Sequence, residues 1–217
     1  MKALKKYMPF TANAEVYTFH MTEKDIIGGV AVAVGMASYI LYIWQIWRRT
    51  IRPHVFTWLI WGTLMAIGFA VQYVEKAGPG SWVLGMSAVV NMVIATAAYF
   101  YGEKNIARSD WVALIVALSA IPVWQMTNNP LWAAAIISAI DAVAFWPTFR
   151  KSWSKPHEEG ALSFFTAGAQ FALSIFALEN MTLASVLYPA TIVILNAMLV
   201  SMLLARRAAL SKSTSSA

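Results

Sequence analysis

Two stretches of the chain share one pattern: YIWQIWRRTIRPHVFTWLIW at residues 42–61 and AFWPTFRKSWSKPHEEGALSFF at residues 144–165. In each stretch an apolar run ends in aromatic residues, becomes basic, reaches a Pro-His pair and turns apolar again. Placing one stretch on the other aligns Pro53 with Pro156 and His54 with His157. The pattern indicates an internal duplication.

The composition is that of a membrane protein. The 217 residues are 59% hydrophobic and 12% charged, with a net charge of +6 and no cysteine, whereas soluble domains carry about 25% charged residues. The lack of cysteine excludes disulfides and thiolate chemistry. The basic residues cluster at the ends of apolar segments, which is typical of proteins in a lipid bilayer. No nucleic-acid partner is therefore expected.

Apolar segments of roughly 20 residues are long enough to cross a bilayer as helices. The sequence predicts seven such spans, at 26–47, 54–74, 82–101, 110–126, 131–149, 160–178 and 182–205. Residues 1–25 form an N-terminal tail and residues 206–217 a C-terminal tail. The connections consist of turn-forming or charged residues and are too short to hold a soluble domain.

The distribution of Lys and Arg predicts the orientation. One side of the predicted membrane carries Arg48, Arg49, Arg52, Lys104, Arg108, Arg150, Lys151, Lys155, Arg206, Arg207 and Lys212, and the other carries Lys2, Lys5, Lys6, Lys24 and Lys76. Cytoplasmic connections hold the excess of basic residues. The chain is therefore expected to be a multi-pass membrane protein with its C-terminus in the cytoplasm and its N-terminus outside.

The duplication extends beyond the Pro-His pairs. The same displacement brings Glu75 close to Glu179 and Asn91 close to Asn196. The predicted fold is thus all-α, with two parallel three-helix bundles, at 26–101 and 131–205, joined by a linker helix at 110–126. Because each bundle has an odd number of spans, the linker is needed to keep the two bundles parallel. Transporters with parallel repeats bind substrate between the repeats.

This 3+1+3 layout resembles the SWEET and PQ-loop superfamily over about residues 40–205. That superfamily includes sugar facilitators, lysosomal amino-acid exporters and the receptor that retrieves escaped reticulum proteins, and vitamin transporters of the nicotinamide-riboside type share the architecture. Trp44-Gln45 and Pro147-Thr148 fall where the family places a Pro-Gln pair, so one copy keeps Gln and the other keeps Pro. The resemblance implies a hinge at Pro147 and a substrate-contacting role for Asn91 and Asn196.

The two asparagines are candidate substrate ligands on physical grounds as well. A side-chain amide at membrane depth must find hydrogen-bond partners. The alternative role is an interhelical hydrogen bond that holds the bundle together, worth about 0.6–2 kcal/mol. Matching positions in both copies favour a binding site for hydroxyl groups or a neutral heterocycle.

Asp141 is the one acidic residue near the middle of a predicted span, and no Lys or Arg occupies such a position. A carboxylate there must be protonated, hydrated or paired with a cation. We therefore predict that Asp141 is a proton-coupling site. The alternative is a protonated acid that makes one interhelical hydrogen bond.

Three tryptophans are candidate aromatic walls of a binding site. Trp58 and Trp61 lie on one face of the second span, and Trp146 precedes Pro147. Packing is the alternative use for each of them. Most other tryptophans lie at span ends, where indole rings prefer the membrane interface.

These observations favour a transporter or facilitator of a small polar solute, sugar-like, vitamin- or nucleoside-like or an amino acid, with proton coupling as a further expectation. A receptor or sorting protein on the same fold would need basic residues facing the cavity. A membrane-embedded enzyme would need a second acid, a histidine or a metal set at membrane depth. The sequence predicts no enzymatic activity, no cofactor and no metal site, and it is compatible with a homo-oligomer formed through lipid-facing surfaces.

Overall fold

The computed structural model describes residues 21–49, 53–102, 108–154, 156–157 and 161–215. These residues form helices and no strand, so the predicted all-α class is confirmed. The helices are α1 (Glu23–Trp47), α2 (Val55–Val74), α3 (Trp82–Tyr101), α4 (Arg108–Leu118), α5 (Ala120–Thr127), α6 (Pro130–Ser154), α7 (Ala161–Phe176) and α8 (Leu183–Ser215). A short 3₁₀ helix, Gly78–Ser81, leads into α3.

Five helices of the described chain are long and apolar enough to cross a membrane: Glu23–Trp47, Val55–Val74, Gly78–Tyr101, Pro130–Ser154 and Leu183–Ser211. They coincide with five of the predicted spans. The shorter apolar helices Leu114–Thr127 and Ala161–Phe176 occupy the other two predicted spans. At about 1.5 Å per residue, α7 extends about 24 Å, against roughly 30 Å of hydrocarbon. The helices are thus consistent with a membrane protein.

The predicted linker helix at 110–126 is broken into α4 and α5. The break falls at Ser119, directly after α4 ends at Leu118. Pro122 lies four residues beyond Leu118 and has no N–H to donate to the Leu118 carbonyl. The Pro122 ring also crowds that carbonyl. At the break, the Ser119 hydroxyl donates to the Val116 carbonyl at 2.6 Å. The linker is therefore two short helices with a proline-induced break.

The other helices pack in a regular order. α3 contacts both α1 and α2, and α8 contacts both α6 and α7. Between these two groups, α1 packs on α7 and α2 packs on α6. The main core, which includes Leu64, Leu84, Ile137 and Tyr188, lies where the groups meet. Residues that are far apart in the sequence therefore come together in the interior.

One end of the molecule is held by contacts around the 3₁₀ helix. The Glu179 amide donates to the Ala77 carbonyl at 2.9 Å, and the Asn180 side-chain amide donates to the Glu75 carbonyl at 2.9 Å. The Lys24 ammonium donates to the Leu178 carbonyl. These bonds join the start of α1, the end of α2 and the segment after α7.

The two predicted tails differ in what the structure shows. Of the N-terminal tail, residues 1–20 lie outside the described residues, and Glu23–Asp25 belong to the first turn of α1. The Thr22 and Asp25 side chains form a capping box there. At the other end, α8 continues beyond residue 205 into the predicted C-terminal tail, as far as Ser215.

Candidate functional site

Asp141 lies in α6 with 2% of its surface exposed. The Trp61 indole, from α2, is placed to interact with its carboxyl group through a side-chain hydrogen bond. The carboxyl oxygen Oδ1 has no hydrogen-bond partner among the described residues. Because α2 and α6 belong to different helix groups, this pair lies at the junction between the groups.

A second polar set lies around Tyr39 of α1. Its side chain lies close to those of Ser87 and Asn91, both from α3. Ser87 is fully buried and Asn91 is 1% exposed. The predicted ligand Asn91 is therefore directed into the protein and has a tyrosine as neighbour.

Tyr188 of α8 lies near both sets. It is 1% exposed and lies within electrostatic range of Asp141 and Tyr39. The Tyr188 hydroxyl contacts the Met65 sulfur at 3.9 Å. The Tyr188 ring packs against Gly68, where an added Cβ would lie 2.7 Å from the ring atom Cδ1. We call the six residues Tyr39, Trp61, Ser87, Asn91, Asp141 and Tyr188 the central cluster.

The interior contains several buried polar atoms without partners among the described residues, and all of them are oxygens. They are Gln72 Oε1, Ser87 Oγ, Asn91 Oδ1, Ser138 Oγ, Asp141 Oδ1, Ser152 Oγ and Gln170 Oε1. Most buried polar atoms in proteins are hydrogen-bonded, and at membrane depth an unpaired polar atom costs several kcal/mol. These oxygens therefore call for water or a polar ligand.

The structure places Asn196 differently from Asn91. Asn196 is 3% exposed, and its amide donates to the Ile192 carbonyl of its own helix at 2.8 Å. No described contact joins the two asparagines. Each asparagine instead lies against a glycine of its own helix group. A Cβ on Gly62 would lie 3.3 Å from the Cβ of Asn91, and a Cβ on Gly168 would lie 3.3 Å from the Cβ of Asn196.

The predicted aromatic residues separate into two groups. Trp58 is 8% exposed and meets Trp61 edge to face, with 5.4 Å between ring centroids, while Tyr42 lies 4.7 Å from Trp58. These rings continue from the central cluster toward the end of α1. Trp146, in contrast, is 68% exposed, and the structure does not bring it to the cluster.

The remaining predicted features are placed as follows. Pro147 lies within α6, which runs from Pro130 to Ser154, and its side chain lies outside the described residues. Where side chains are described, no three His, Cys, Asp or Glu residues come together as a metal site. A cleft of about 760 Å³ lies away from the cluster, beside the 3₁₀ helix, with Phe69, Trp82 and Glu179 among its walls.

Sequence reasoning missed Tyr39, Ser87 and Tyr188. It also missed Gln170 of α7, whose amide oxygen occupies the space where a Cβ on Gly35 of α1 would stand. The signal that could have revealed part of this arrangement is glycine. Gly35, Gly62, Gly68 and Gly168 each lie against a polar or aromatic side chain of another helix.

No protein-family model, curated protein or solved structure matches this chain.

Proposed function

We propose that the chain is a duplicated 3+1+3 membrane protein related to the SWEET and PQ-loop transporters. The packing order supports the duplication, because the third helix of each group contacts both others and the groups meet through α1–α7 and α2–α6. Each cross-pair joins the first helix of one group to the second helix of the other. A twofold-related arrangement of two equivalent units has this property.

The glycine–asparagine contacts support the same proposal. Gly62 on the second helix faces Asn91 on the third, and Gly168 on the second helix of the other group faces Asn196 on the third. Small residues allow helices in membranes to approach closely. The same pair of residue types at equivalent contacts is expected if the two halves share an origin.

In this proposal seven spans cross the bilayer, with the N-terminus outside and the C-terminus in the cytoplasm. The basic residues at the proposed inner end are anchored to nearby groups. Arg206 Nε donates to the Trp153 carbonyl at 3.1 Å, and its guanidinium lies 4.6 Å from the Trp153 ring centroid. Arg48 lies over the Trp44 ring in a similar way. Arg52, Lys104 and Lys155, which also enter the orientation argument, lie outside the described residues.

The proposed function is transport of a small polar solute through the junction between the two helix groups. The observation that carries it is the set of unpartnered buried oxygens on α2, α3, α6 and α7. A bundle that served only as a scaffold would satisfy its polar atoms internally. A pathway for a polar solute needs polar atoms that the solute or water satisfies in turn.

Within this pathway, Asp141 is proposed as the proton-coupling residue and Asn91 as a substrate ligand. Asp141 has an unpartnered oxygen at the junction, and Asn91 has its own unpartnered oxygen on the same cluster. Asn196 is proposed as the equivalent ligand of the second half, which requires its amide to leave the Ile192 carbonyl when substrate binds. Trp58 and Trp61 form the proposed aromatic wall.

The test is uptake into liposomes that contain the purified protein. Labelled sugars, nucleosides, vitamins and amino acids are offered one at a time, with and without a pH gradient across the membrane. We expect saturable uptake of at least one class, faster when the pH gradient is present. Uptake no faster than into empty liposomes for every class would reject the transport proposal.

A further inference from the structure

Four of the seven unpartnered buried oxygens in the described part of the chain belong to carboxyl or amide groups, and the other three are serine hydroxyls. The unpartnered atoms include the carboxyl oxygen of Asp141 and the amide oxygens of Asn91, Gln72 and Gln170. A carboxylate and an amide oxygen can only accept hydrogen bonds. A solute that satisfies them must therefore bring donors.

Asp141 adds a requirement for positive charge. Every Lys, Arg and His of the chain lies outside the middle of the predicted spans, so the chain supplies no cation at this depth. A buried carboxylate without a cation takes up a proton or binds a positive ligand. The unpartnered Oδ1 of Asp141 is the atom that such a ligand would contact.

The side chains around Asp141 are aromatic. The Trp61 indole interacts with its carboxyl group, Tyr188 lies close by, and Trp58 extends the aromatic surface from Trp61. Indole and phenol rings attract cations through their electron-rich faces. A carboxylate beside aromatic rings suits an organic cation, whose charged group can bind the carboxylate while its apolar part packs on the rings.

We propose that the transported solute carries a protonated amine, which donates to Asp141 and packs against the Trp61 ring. This inference rests on the proposed transport function and names its substrate class. The N–H groups of the ammonium donate to Oδ1 of Asp141 and Oδ1 of Asn91, which have no hydrogen-bond partner among the described residues. When the ammonium binds, Asp141 releases its proton to the solvent. The ammonium then balances the charge of the carboxylate, so the site stays neutral.

The experiment compares amines with alcohols of nearly the same shape. Binding of benzylamine, 4-amino-1-butanol, benzyl alcohol and 1,4-butanediol to the purified protein in detergent is followed by tryptophan fluorescence. The same preparations are titrated with sodium chloride against choline chloride. Release of protons on binding is measured with a pH-sensitive dye in weakly buffered solution.

We expect both amines to bind more tightly than their matched alcohols and to release about one proton per bound molecule. Asp141→Asn should weaken amine binding by about 10- to 100-fold, because a charge-assisted hydrogen bond is lost. Asp141→Glu keeps the charge and should retain part of the affinity. Asp25→Asn, the same chemical change in the first turn of α1, should leave amine binding unchanged.

Three results would overturn the inference. The first is equal binding of amines and alcohols, and the second is binding of sodium with no response to either amine. The third is uptake of a sugar, nucleoside or neutral vitamin by liposomes while the amines neither bind nor compete. In that last case the transport function stands and the amine class is wrong, whereas absence of uptake for all solutes, amines included, rejects both.

Discussion

Two adjacent glycines in α1 allow the packing of this helix to be tested with a matched pair of variants. A Cβ added to Gly28 would lie 2.9 Å from both the carbonyl oxygen and the Cβ of Pro79 in the 3₁₀ helix. A Cβ added to Gly29 would meet no atom within 4 Å. Gly28→Ala should therefore force α1 and the 3₁₀ helix apart, while Gly29→Ala should not.

The size of the effect follows from two opposing terms. Relieving contacts of this kind costs about 1–3 kcal/mol, since a proline ring and backbone cannot rotate away as a long side chain can. Replacing glycine inside a helix returns about 0.5–1 kcal/mol of backbone entropy. The net destabilisation of Gly28→Ala relative to the parent is then about 0–2.5 kcal/mol, which lowers Tm by up to about 10 °C. Relative to Gly29→Ala, which gains the same entropy term, the difference is about 1–3 kcal/mol.

The assay is thermal unfolding of the purified protein in detergent, followed by the amount that still elutes as a monodisperse peak after heating. Gly29→Ala should have an unchanged or slightly higher Tm, because it gains only the helix term. If Gly28→Ala proves as stable as Gly29→Ala, then α1 does not pack on the 3₁₀ helix as the structure shows. The reasoning about this end of the molecule would then be wrong.

Four further outcomes are expected. A reporter fused after Ala217 should be cytoplasmic and one inserted at residues 77–80 should be on the opposite side; detection of both in one compartment would reject the seven-span topology. Asp141→Asn should abolish the pH dependence of uptake while the protein still folds, and pH-independent uptake by the parent protein would remove the coupling role. Asn91→Ala and Asn196→Ala should each weaken substrate binding about three- to thirty-fold, with a non-additive double variant if both contact one ligand; strictly additive losses would separate the two sites. Gln72 Nε2 donates at 2.8 Å to the Ser185 carbonyl, which Pro189 leaves without its helical partner. Gln72→Leu should therefore lower the free energy of unfolding by about 1–3 kcal/mol. Adding Pro189→Ala should recover part of that loss in the same melting assay, and no recovery would contradict the explanation.

Hydropathy and proline placement carried most of the information about the helices. Long apolar runs located α1, α2, α3 and α6, whose bounds lie within about five residues of the predicted spans, and the start of α8. Pro122 in a short span was visible in the sequence, and the break at Ser119 is its physical consequence. The length of α8 was underestimated, because RRAALSKSTS is polar but contains no residue that must end a helix.

The composition of the central cluster was much less accessible. Asp141 was found because a lone acid in an apolar run is conspicuous. Tyr39 and Tyr188 were not, because a tyrosine in a membrane helix is ordinary and both lie far from Asp141 in the sequence. The packing of α1 on α3, of α2 on α6 and of α8 on both α2 and α6 brings these residues together, and hydrophobic periodicity does not encode which helices become neighbours.

If the two helix groups are copies, as proposed, then the two asparagines differ in their surroundings. Asn91 keeps an unpartnered oxygen and a tyrosine neighbour, whereas the Asn196 amide is already bonded to the Ile192 carbonyl. The acid is equally one-sided, since the position that corresponds to Asp141 is occupied by Ser38, whose hydroxyl lies 3.3 Å from that of Thr166. A substrate held mainly by Asp141, Trp61 and Asn91 would thus contact the Asn91 amide and the Trp61 indole in the first helix group. In the second helix group it would contact the Asp141 carboxyl group. Such a ligand bridges the two groups and favours the arrangement in which they are close, so its release requires α2 and α6 to move apart.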